Sequence, residues 1–415
     1  MITKALIFCF LVTFQFSLYT QSDPFQYYVD TLCSSFFKGR GYVDQGHLKT
    51  AKFIESEFLE LGLSPLNDNS FLQEFPLEVN TFPNAIKIIK DKDSLKEGVD
   101  FILDPSSNSL NGKFKVKIVD LNNFKKILNE FSIDKEKSEI FLVDASKFYN
   151  KDTISLLEDL RLQLSKLGPT IFIQNSKLTW SVSSFKSKYP IIYIDKKVTY
   201  SSNSIFEIYF DSDLKRIQTN NICGMVKGKR KKLIVISAHY DHLGMMGKAI
   251  FPGANDNASG VSLLLNLAKY YSSRKNKYSM IFLCFGAEEI GLVGSNYFVT
   301  HPLVKLKKIK FLINLDIVGT GQEGIAIVNA IDQKKYVRKI GDINKDLNLF
   351  KKIKIRGQAP NSDHYFFSTN GVPSIFIYTL GGIKAYHDVF DKPETLPLKK
   401  INDLFILINT FLKHI

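Results

Sequence analysis

The sequence predicts an α/β protein in which helices sandwich a mostly parallel, mixed sheet. Apolar runs in the second half of the chain, such as KLIVISAH and SMIFLCFG, show no polar alternation, which is typical of strands buried on both faces. Helical patterns separate these runs, and strands that alternate with helices form parallel sheets. At 415 residues the chain exceeds most single cores, so we expect two domains, or one large domain with an insertion.

The first element that the pattern defines is a helix near the beginning of the chain. Apolar residues recur at helical spacing from Ala51 to Leu61, and Gly62 ends the pattern. We therefore predict a helix over residues 47–61. It belongs to a segment, residues 23–80, that we assign to the N-terminal part of the main domain.

Residues 81–215 differ from the rest in being rich in Lys, Asn and Ser. They contain one helical pattern, TISLLEDLRLQLSKLG, and four strand-like runs: FKVKIVDL, EIFLVDA, PTIFIQN and PIIYIDKK. No group of His, Cys or acidic residues has ligand spacing here. We expect a smaller inserted α/β or β-rich domain that carries no chemistry of its own.

Residues 216–415 alternate between strands and helices. In order, the patterns predict strand KLIVISAH, helix SGVSLLLNLAKYYSS, strand SMIFLCFG, helix GSNYFVT, strand IKFLINLD, strand GIAIVNA, helix KKYVRKIGDINKDL, a short helix around SDHYFFSTN, strand PSIFIYTL and the helix LKKINDLFILINTFLKHI. Ligands of such sheets bind beyond the carboxyl ends of the strands. We therefore expect the functional site in this segment, beyond the carboxyl ends of its strands.

The net charge of +14 raises the question of an anionic partner. The lysines are scattered along the sequence, the longest basic run is KGKRKK, and no nucleic-acid motif accompanies it. We interpret this run as a solvated turn before a strand and expect no nucleic-acid partner.

Residues 1–22 resemble a signal peptide, because one lysine is followed by a short apolar stretch and then by small and polar residues. The stretch is too short for a membrane span. We expect a secreted or periplasmic protein without a stable span, and lipid anchoring through Cys9 is the less favoured alternative. A disulfide between Cys33 and Cys223 stays open, since spacing alone gives it little support.

Candidate ligands follow successive predicted strands at the same edge of the sheet. They are His239 and Asp241 in SAHYDHLG, Asp256 in PGANDNASG, Glu288 and Glu289 in GAEEIGLVGS, Asp316 in NLDIVG, and His387 in AYHDVFDKPETL. Taken singly, each has an ordinary structural explanation, such as helix capping by Asp256. Together they form a mixed nitrogen and oxygen donor set, which suits zinc.

These five ordered motifs resemble the di-zinc aminopeptidases of the M28 peptidase family, which have the zinc-dependent exopeptidase fold. The resemblance implies two zinc ions per chain. It implies that Asp256 bridges both ions, that His239 and Asp316 complete one site, and that Glu289 and His387 complete the other. The inserted segment resembles, in position and strand pattern, the protease-associated domain of some family members.

The resemblance also implies roles for residues beside the metals. Glu288 would be the general base toward a water that bridges the two ions, and Asp241 would accept the free ring N–H of His239. Tyr386 matches a tyrosine that steadies the oxyanion. Asp363 and His364 match a segment beside the site, and His242 matches the pattern without being a ligand.

The implied reaction is removal of N-terminal residues from peptide substrates with a free amine. Related carboxypeptidases and dipeptidases are alternatives within the same fold, because the metal ligands do not show which end of a peptide is bound. Glutaminyl cyclases resemble the family too, but they hold one zinc ion, whereas His239 together with Asp256 favours two. A binding protein without activity is the least favoured alternative, because all five ligands and the base are present. The oligomeric state is not predicted.

Overall fold

The computed structural model describes residues 23–119, 138–147 and 151–415. The predicted signal peptide lies outside these residues and stays a prediction. Within the described ranges, no helix has the length and apolar character needed to cross a membrane.

The chain forms strands and helices in the alternating order that the sequence predicts. The strands are β1 (Ser64–Pro65), β2 (Leu72–Thr81), β3 (Lys87–Lys90), β4 (Asp93–Ser94), β5 (Phe101–Leu103), β6 (Leu110–Ile118), β7 (Glu139–Asp144), β8 (Thr170–Gln174), β9 (Ile191–Asp195), β10 (Ile205–Phe210), β11 (Asp213–Val226), β12 (Gly228–His239), β13 (Gly244–Met246), β14 (Ala249–Phe251), β15 (Asn276–Phe285), β16 (Ile309–Leu315), β17 (Gly324–Val328), β18 (Ile353–Ile355) and β19 (Ser374–Leu380). The α-helices are α1 (Pro24–Leu32), α2 (Gly46–Glu60), α3 (Lys151–Leu167), α4 (Ser259–Ser272), α5 (Val293–Thr300), α6 (Lys334–Leu347), α7 (His364–Thr369) and α8 (Ile401–Lys413).

The larger sheet is mixed with a parallel centre, as predicted. Its strand order is β1-β11-β15-β12-β16-β19-β17-β18, and β2 also pairs with β11. Strand β12 is parallel to β15 and β16, and β16 is parallel to β19. The carboxyl ends of these four central strands therefore meet at one edge of the sheet.

Both faces of the large sheet are buried, which explains the unbroken apolar runs. In β12, Ile234 and Ile236 pack into the core beneath α4, whereas Leu233 and Val235 pack into a second core with α5 and α7 on the opposite face. Alternate residues of one strand thus enter different cores. Each buried aliphatic side chain contributes roughly 1.5–3 kcal/mol of transfer free energy.

A second sheet lies entirely between β2 and β11 in the sequence. Its order is β4-β3-β10-β6-β7-β8-β9-β5, and α3 packs against it through Leu160 and Leu164. We call residues 87–210 the inserted segment. Its assignment to the protease-associated class and the domain boundaries stay predictions.

The inserted segment shares a core with a hairpin of the main domain. Strands β13 and β14 pair with each other, and Leu243, Met246 and Phe251 from this region lie in the apolar cluster of the second sheet. The rings of Trp180 and Phe251 are 4.8 Å apart. The inserted segment is therefore packed against the part of the chain that precedes Asp256.

One buried arginine joins three parts of the backbone near the edge of the large sheet. Arg40 is fully buried and donates hydrogen bonds to the carbonyl oxygens of Tyr240 (2.9 Å), Pro252 (2.6 Å), Gly253 (2.8 Å) and Asp256 (3.2 Å). A guanidinium has five fixed donors, so it can satisfy several carbonyls at once. These bonds connect the chain after α1 to the residue that follows β12 and to the residues around Asp256.

The structure corrects one expectation from the sequence and answers one question that the sequence left open. The run KGKRKK lies mostly in the first residues of β12 rather than in a turn, because pairing with β15 begins at Gly228. Cys33, Cys223 and Cys284 are free thiols, so no bridge joins Cys33 to Cys223.

We expect Arg40→Met to lower the free energy of unfolding by at least about 3 kcal/mol, because several buried carbonyl groups would lose their donor. Urea denaturation followed by circular dichroism measures this change. Arg216→Met, which removes an exposed arginine from β11, is the matched control and should change stability by less than about 1 kcal/mol. Equal stability of the two variants would contradict the role of Arg40.

Candidate metal centre

The candidate ligands reach one edge because the strands that precede them end there. Strand β12 ends at His239 itself, β16 ends one residue before Asp316, and β15 ends at Phe285, three residues before Glu288. Ala287 then adopts a left-handed backbone with φ 56°. The strand thus stops before the paired glutamates, and both are free to face the crevice beyond the sheet.

Asp256 reaches the same crevice from the other direction, on the turn Ala254–Ala258 that precedes α4. The carboxylate of Asp391 holds this turn by accepting hydrogen bonds from the backbone N–H groups of Asn255 (2.9 Å) and Asp256 (3.1 Å). The capping explanation for Asp256 does not apply, since its side chain points to two histidines instead of to the first turn of α4.

The first group of donors forms around His239. Its Nε2 lies 3.1 Å from Oδ1 of Asp316 and 3.3 Å from Oδ1 of Asp256. Ser362 donates a hydrogen bond of 2.9 Å to the other oxygen of Asp316. His239, Asp256 and Asp316 are all buried and could together hold a metal ion.

The second group forms around Glu289. Nε2 of His387 lies 3.1 Å from Oδ2 of Asp256 and 3.1 Å from Oε2 of Glu289. Nδ1 of His242 lies 2.6 Å from the other oxygen of Glu289, so two imidazoles meet this carboxylate. His387 is the one that contacts Asp256 at hydrogen-bond distance, as the resemblance implies for a ligand. The donor atoms of His242, Asp256 and Glu289 also lie close enough together to hold a metal ion, so His242 is a further candidate that the sequence did not assign.

The orientation of both imidazoles fits a cation between the donors. Nδ1 of His239 lies 3.1 Å from the carbonyl oxygen of Asp241, and Nδ1 of His387 lies 3.1 Å from that of Trp180. A carbonyl oxygen only accepts, so Nδ1 carries the proton in each ring. In the neutral ring, Nε2 then has a lone pair that faces two carboxylates. Only a proton or a metal ion can occupy that position favourably, and nitrogen with carboxylate oxygen is a donor set that zinc prefers.

The pKa values of His387 and Asp256 show that the crevice favours positive charge. Burial alone would lower the pKa of His387, but Glu289 and Asp256 raise it to about 11. Burial would raise the pKa of Asp256, yet hydrogen bonds from His239 and His387 hold it well below its ordinary value. The crevice thus attracts positive charge strongly, which is the property that a cation site requires.

The paired glutamates have opposite environments. Burial raises the pKa of Glu288 well above its ordinary value, and the charges of Glu289 and Asp316 add to this effect against the opposing charge of His239. Glu289 has a pKa lowered to about 2, because His387 and His242 outweigh its burial and the charge of Asp256. The two neighbouring carboxylates thus differ in their affinity for a proton, and the role of Glu288 as a general base stays a prediction.

The structure corrects one predicted contact of Asp241. The proton on Nδ1 of His239 goes to the backbone carbonyl of Asp241, and the nearest carboxylate oxygen is 3.9 Å away. That carboxylate instead accepts the backbone N–H groups of Glu288 (3.1 Å) and Glu289 (3.4 Å). Asp241 therefore orients the turn that carries both glutamates, because two N–H groups of a left-handed turn converge on it.

Tyr386 lies over the ring of His387, with the ring centroids 3.9 Å apart and an interplanar angle of 15°. Its side chain is 46% exposed, so it lines the open side of the crevice. Burial and the nearby carboxylates raise the pKa of its hydroxyl, so it stays protonated and can donate a hydrogen bond. Its role toward an oxyanion stays a prediction.

Sequence reasoning missed four residues that support the site: Arg40, Lys177, Trp180 and Asp391. Asp391 stands four residues after His387 in the motif AYHDVFDKPETL, and Arg40 lies between Gly39 and Gly41. Both residues therefore had a local signal in the sequence. Gly41 packs against the backbone of Gly244 so closely that a Cβ there would lie 2.4 Å from the Gly244 Cα. Nothing in the spacing of Lys177 and Trp180 connects them to His387, which lies more than 200 residues further along the chain.

Lys177 and Trp180 hold the loop that carries His387. The backbone of Trp180 bonds in both directions, donating to the carbonyl of His387 (2.8 Å) and accepting from its ring. Nζ of Lys177 donates to the carbonyl oxygens of Lys384 (2.8 Å) and Tyr386 (3.2 Å) and forms an ion pair with the buried Asp388. The inserted segment thus fixes the position of a candidate ligand.

Comparison with known proteins places this geometry in context. Residues 221–412 match the sequence profile of Peptidase family M28. Aminopeptidase YwaD of Bacillus subtilis is 36% identical over 163 residues, which are 38% of this chain and 34% of the relative. A probable zinc metalloprotease of Pyricularia oryzae is 32% identical over 115 residues, 26% of this chain and 23% of that protein. The chain therefore spans about a third or less of these two relatives.

Solved structures match over nearly the whole chain. A zinc aminopeptidase from Bacillus subtilis superposes with a TM-score of 0.67 at 20% identity, covering 94% of both chains. A peptidase M28 precursor from Shewanella amazonensis gives 0.64 at 14% identity, covering 94% of this chain and 96% of that one. At these identities the match establishes the fold, inserted segment included.

We expect Lys177→Met to weaken zinc binding by about tenfold, since removal of a residue that orients a ligand typically costs ten- to a hundredfold in metal affinity. Competition with a chromogenic chelator measures the affinity. Lys197→Met removes a partly exposed ion pair with Asp100 in the same inserted segment and is the matched control. A Lys177→Met protein with unchanged affinity for zinc would show that the loop is held without this lysine.

Proposed function

We propose that the protein is a zinc-dependent aminopeptidase of peptidase family M28, whose profile residues 221–412 match, and that it removes N-terminal residues from peptides. The observation that supports the proposal most strongly is the position of Asp256. Its two carboxylate oxygens face two different imidazoles, and each imidazole also faces another carboxylate. Such an arrangement offers two adjacent cation positions with one shared ligand.

Two zinc ions per chain are part of the proposal. Asp256 would contact both, with His239 and Asp316 at one position and Glu289 and His387 at the other. Bound zinc lowers the pKa of water and polarises a carbonyl group, which is the chemistry that peptide hydrolysis needs. No serine or cysteine nucleophile is then required.

The residues of the chain would position and transfer the proton. Glu288 lies beside the first group, with Oε2 4.0 Å from Nε2 of His239. From this position it would accept a proton from the attacking water and return it to the leaving amine. Asp241 would keep Glu288 in place through the backbone, and Tyr386 would steady charge that develops on the substrate oxygen.

The reaction is tested with purified protein on a panel of aminoacyl chromogenic substrates and on peptides with free or blocked N-termini. We expect cleavage of free N-termini, loss of activity with a chelator, and recovery when zinc is added. Equal cleavage of blocked and free peptides would contradict an aminopeptidase and favour a related carboxypeptidase or dipeptidase. Cyclisation of N-terminal glutamine without hydrolysis would favour a glutaminyl cyclase.

The two glutamates should respond differently to the same substitution. We expect Glu288→Gln to retain both zinc ions and lower kcat by at least about a hundredfold, because the proton acceptor is lost while the ligands remain. We expect Glu289→Gln to lower the zinc content first. Metal analysis and kinetics on the same preparations distinguish the two.

A Glu288→Gln protein that loses zinc, yet turns over normally once zinc is restored, would reverse the two assignments. Glu323→Gln, in the loop before β17, changes a carboxylate outside the donor groups and serves as the control.

A further inference from the structure

The edge of the large sheet opposite the metal centre carries a dense group of cations. It is built from three separate segments, residues 227–232, 274–277 and 305–310, which lie at or just before the first residues of β12, β15 and β16. Because these strands are parallel, their amino ends meet at one edge. We call the twelve Lys and Arg residues of these segments the basic edge: Lys227, Lys229, Arg230, Lys231, Lys232, Arg274, Lys275, Lys277, Lys305, Lys307, Lys308 and Lys310.

The basic edge accounts for most of the charge of the chain. The three segments contain no Asp or Glu, so they contribute nearly all of the net charge of +14. Twelve of the 55 Lys and Arg residues, from segments far apart in the sequence, therefore lie along one edge of the fold. Folding, not composition alone, creates this field.

The three segments converge in space. Arg230, Lys277 and Lys310, one from each segment, surround the ring of Tyr278 at 5.8, 5.1 and 5.4 Å from its centroid. Nζ of Lys232 also donates to the carbonyl of Lys307, which joins the first segment to the third.

These charges are available to a partner. All members of the basic edge except the half-buried Lys310 are exposed. Among the described residues, none of them forms an ion pair with an Asp or Glu side chain. Like charges placed this close together destabilise the free protein, and a partner with negative charge removes that cost.

We propose that the basic edge binds an anionic lipid surface and thereby holds the metal centre on the side that faces away from the lipid. Ten of the twelve cations are lysines, whose point charges suit a diffuse layer of headgroups, whereas recognition of a nucleic acid favours the planar fork of arginine. The aromatic rings at this edge are covered: Arg274 lies 4.1 Å above Tyr270, and cations surround Tyr278. No ring among the described residues of this edge is presented for base stacking.

The geometry allows binding and access at the same time. About seven residues of β12 separate Lys232 from His239, which corresponds to roughly 23 Å of strand. A peptide can therefore enter the crevice while the opposite edge contacts a membrane. The attraction should also weaken with salt, since exposed charges are screened within about 10 Å at 0.1 M ionic strength.

The test is sedimentation of the full chain with vesicles of phosphatidylcholine, with and without phosphatidylglycerol, at low and high salt. We expect binding only to vesicles with phosphatidylglycerol, and release by salt. Lys229→Glu, Lys231→Glu and Lys308→Glu together should weaken this binding by at least about tenfold. The midpoint of thermal unfolding should not fall, because all three side chains are exposed and their replacement reduces the repulsion among the remaining cations.

A matched variant distinguishes a localised surface from general charge. Lys335→Glu, Lys345→Glu and Lys351→Glu change the net charge equally but lie on and after α6. Vesicle binding that falls equally in both variants would overturn the proposal, as would binding to neutral vesicles. Binding to double-stranded DNA at a salt concentration where vesicles are not bound would assign the basic edge to nucleic acid instead.

Discussion

The carboxylate of Asp256 presents one oxygen to His239 and the other to His387, at 3.3 and 3.1 Å. This arrangement places negative charge where burial makes charge expensive, and it can persist only if positive charge lies on both sides. The neighbouring carboxylates obey the same constraint: each of Asp316 and Glu289 shares an imidazole with Asp256. The crevice is thus stable as a site for cations rather than as an ordinary polar pocket.

Much of the surrounding backbone is arranged to keep Asp256 in that position. Asp391 accepts the N–H groups of its turn, and Arg40 donates to the carbonyls of Gly253 and Asp256. These groups satisfy backbone donors and acceptors of the turn from two sides, and Ser259 at the start of α4 adds a hydrogen bond of 2.7 Å to the carbonyl oxygen of Asn255. Arg40 lies in the connection after α1 and Asp391 lies in the loop after β19, so both are far from Asp256 in the sequence.

The sequence predicted the sheet, and it predicted which acidic residues and histidines lie together at the strand ends, because both depend on local patterns. Apolar runs such as residues 233–238 identify buried strands. The carboxyl ends of neighbouring parallel strands then meet at one edge of the sheet, whatever the length of the loops between them. The contacts around the donors could not be predicted. Nδ1 of His239 donates to the backbone carbonyl of Asp241 and not to its carboxylate, and both acceptors belong to the same residue, so the sequence cannot distinguish them. The partner of His387 is supplied by a segment whose own pattern carries no chemical signal.

The contact between Trp180 and His387 has a consequence for which parts of the fold the site requires. By sequence His387 belongs to the large sheet, but its ring is oriented by a carbonyl of the inserted segment. The position of His387 therefore depends on both sheets being formed and packed together. The complete donor set is a property of the two sheets jointly, and neither sheet contains it alone.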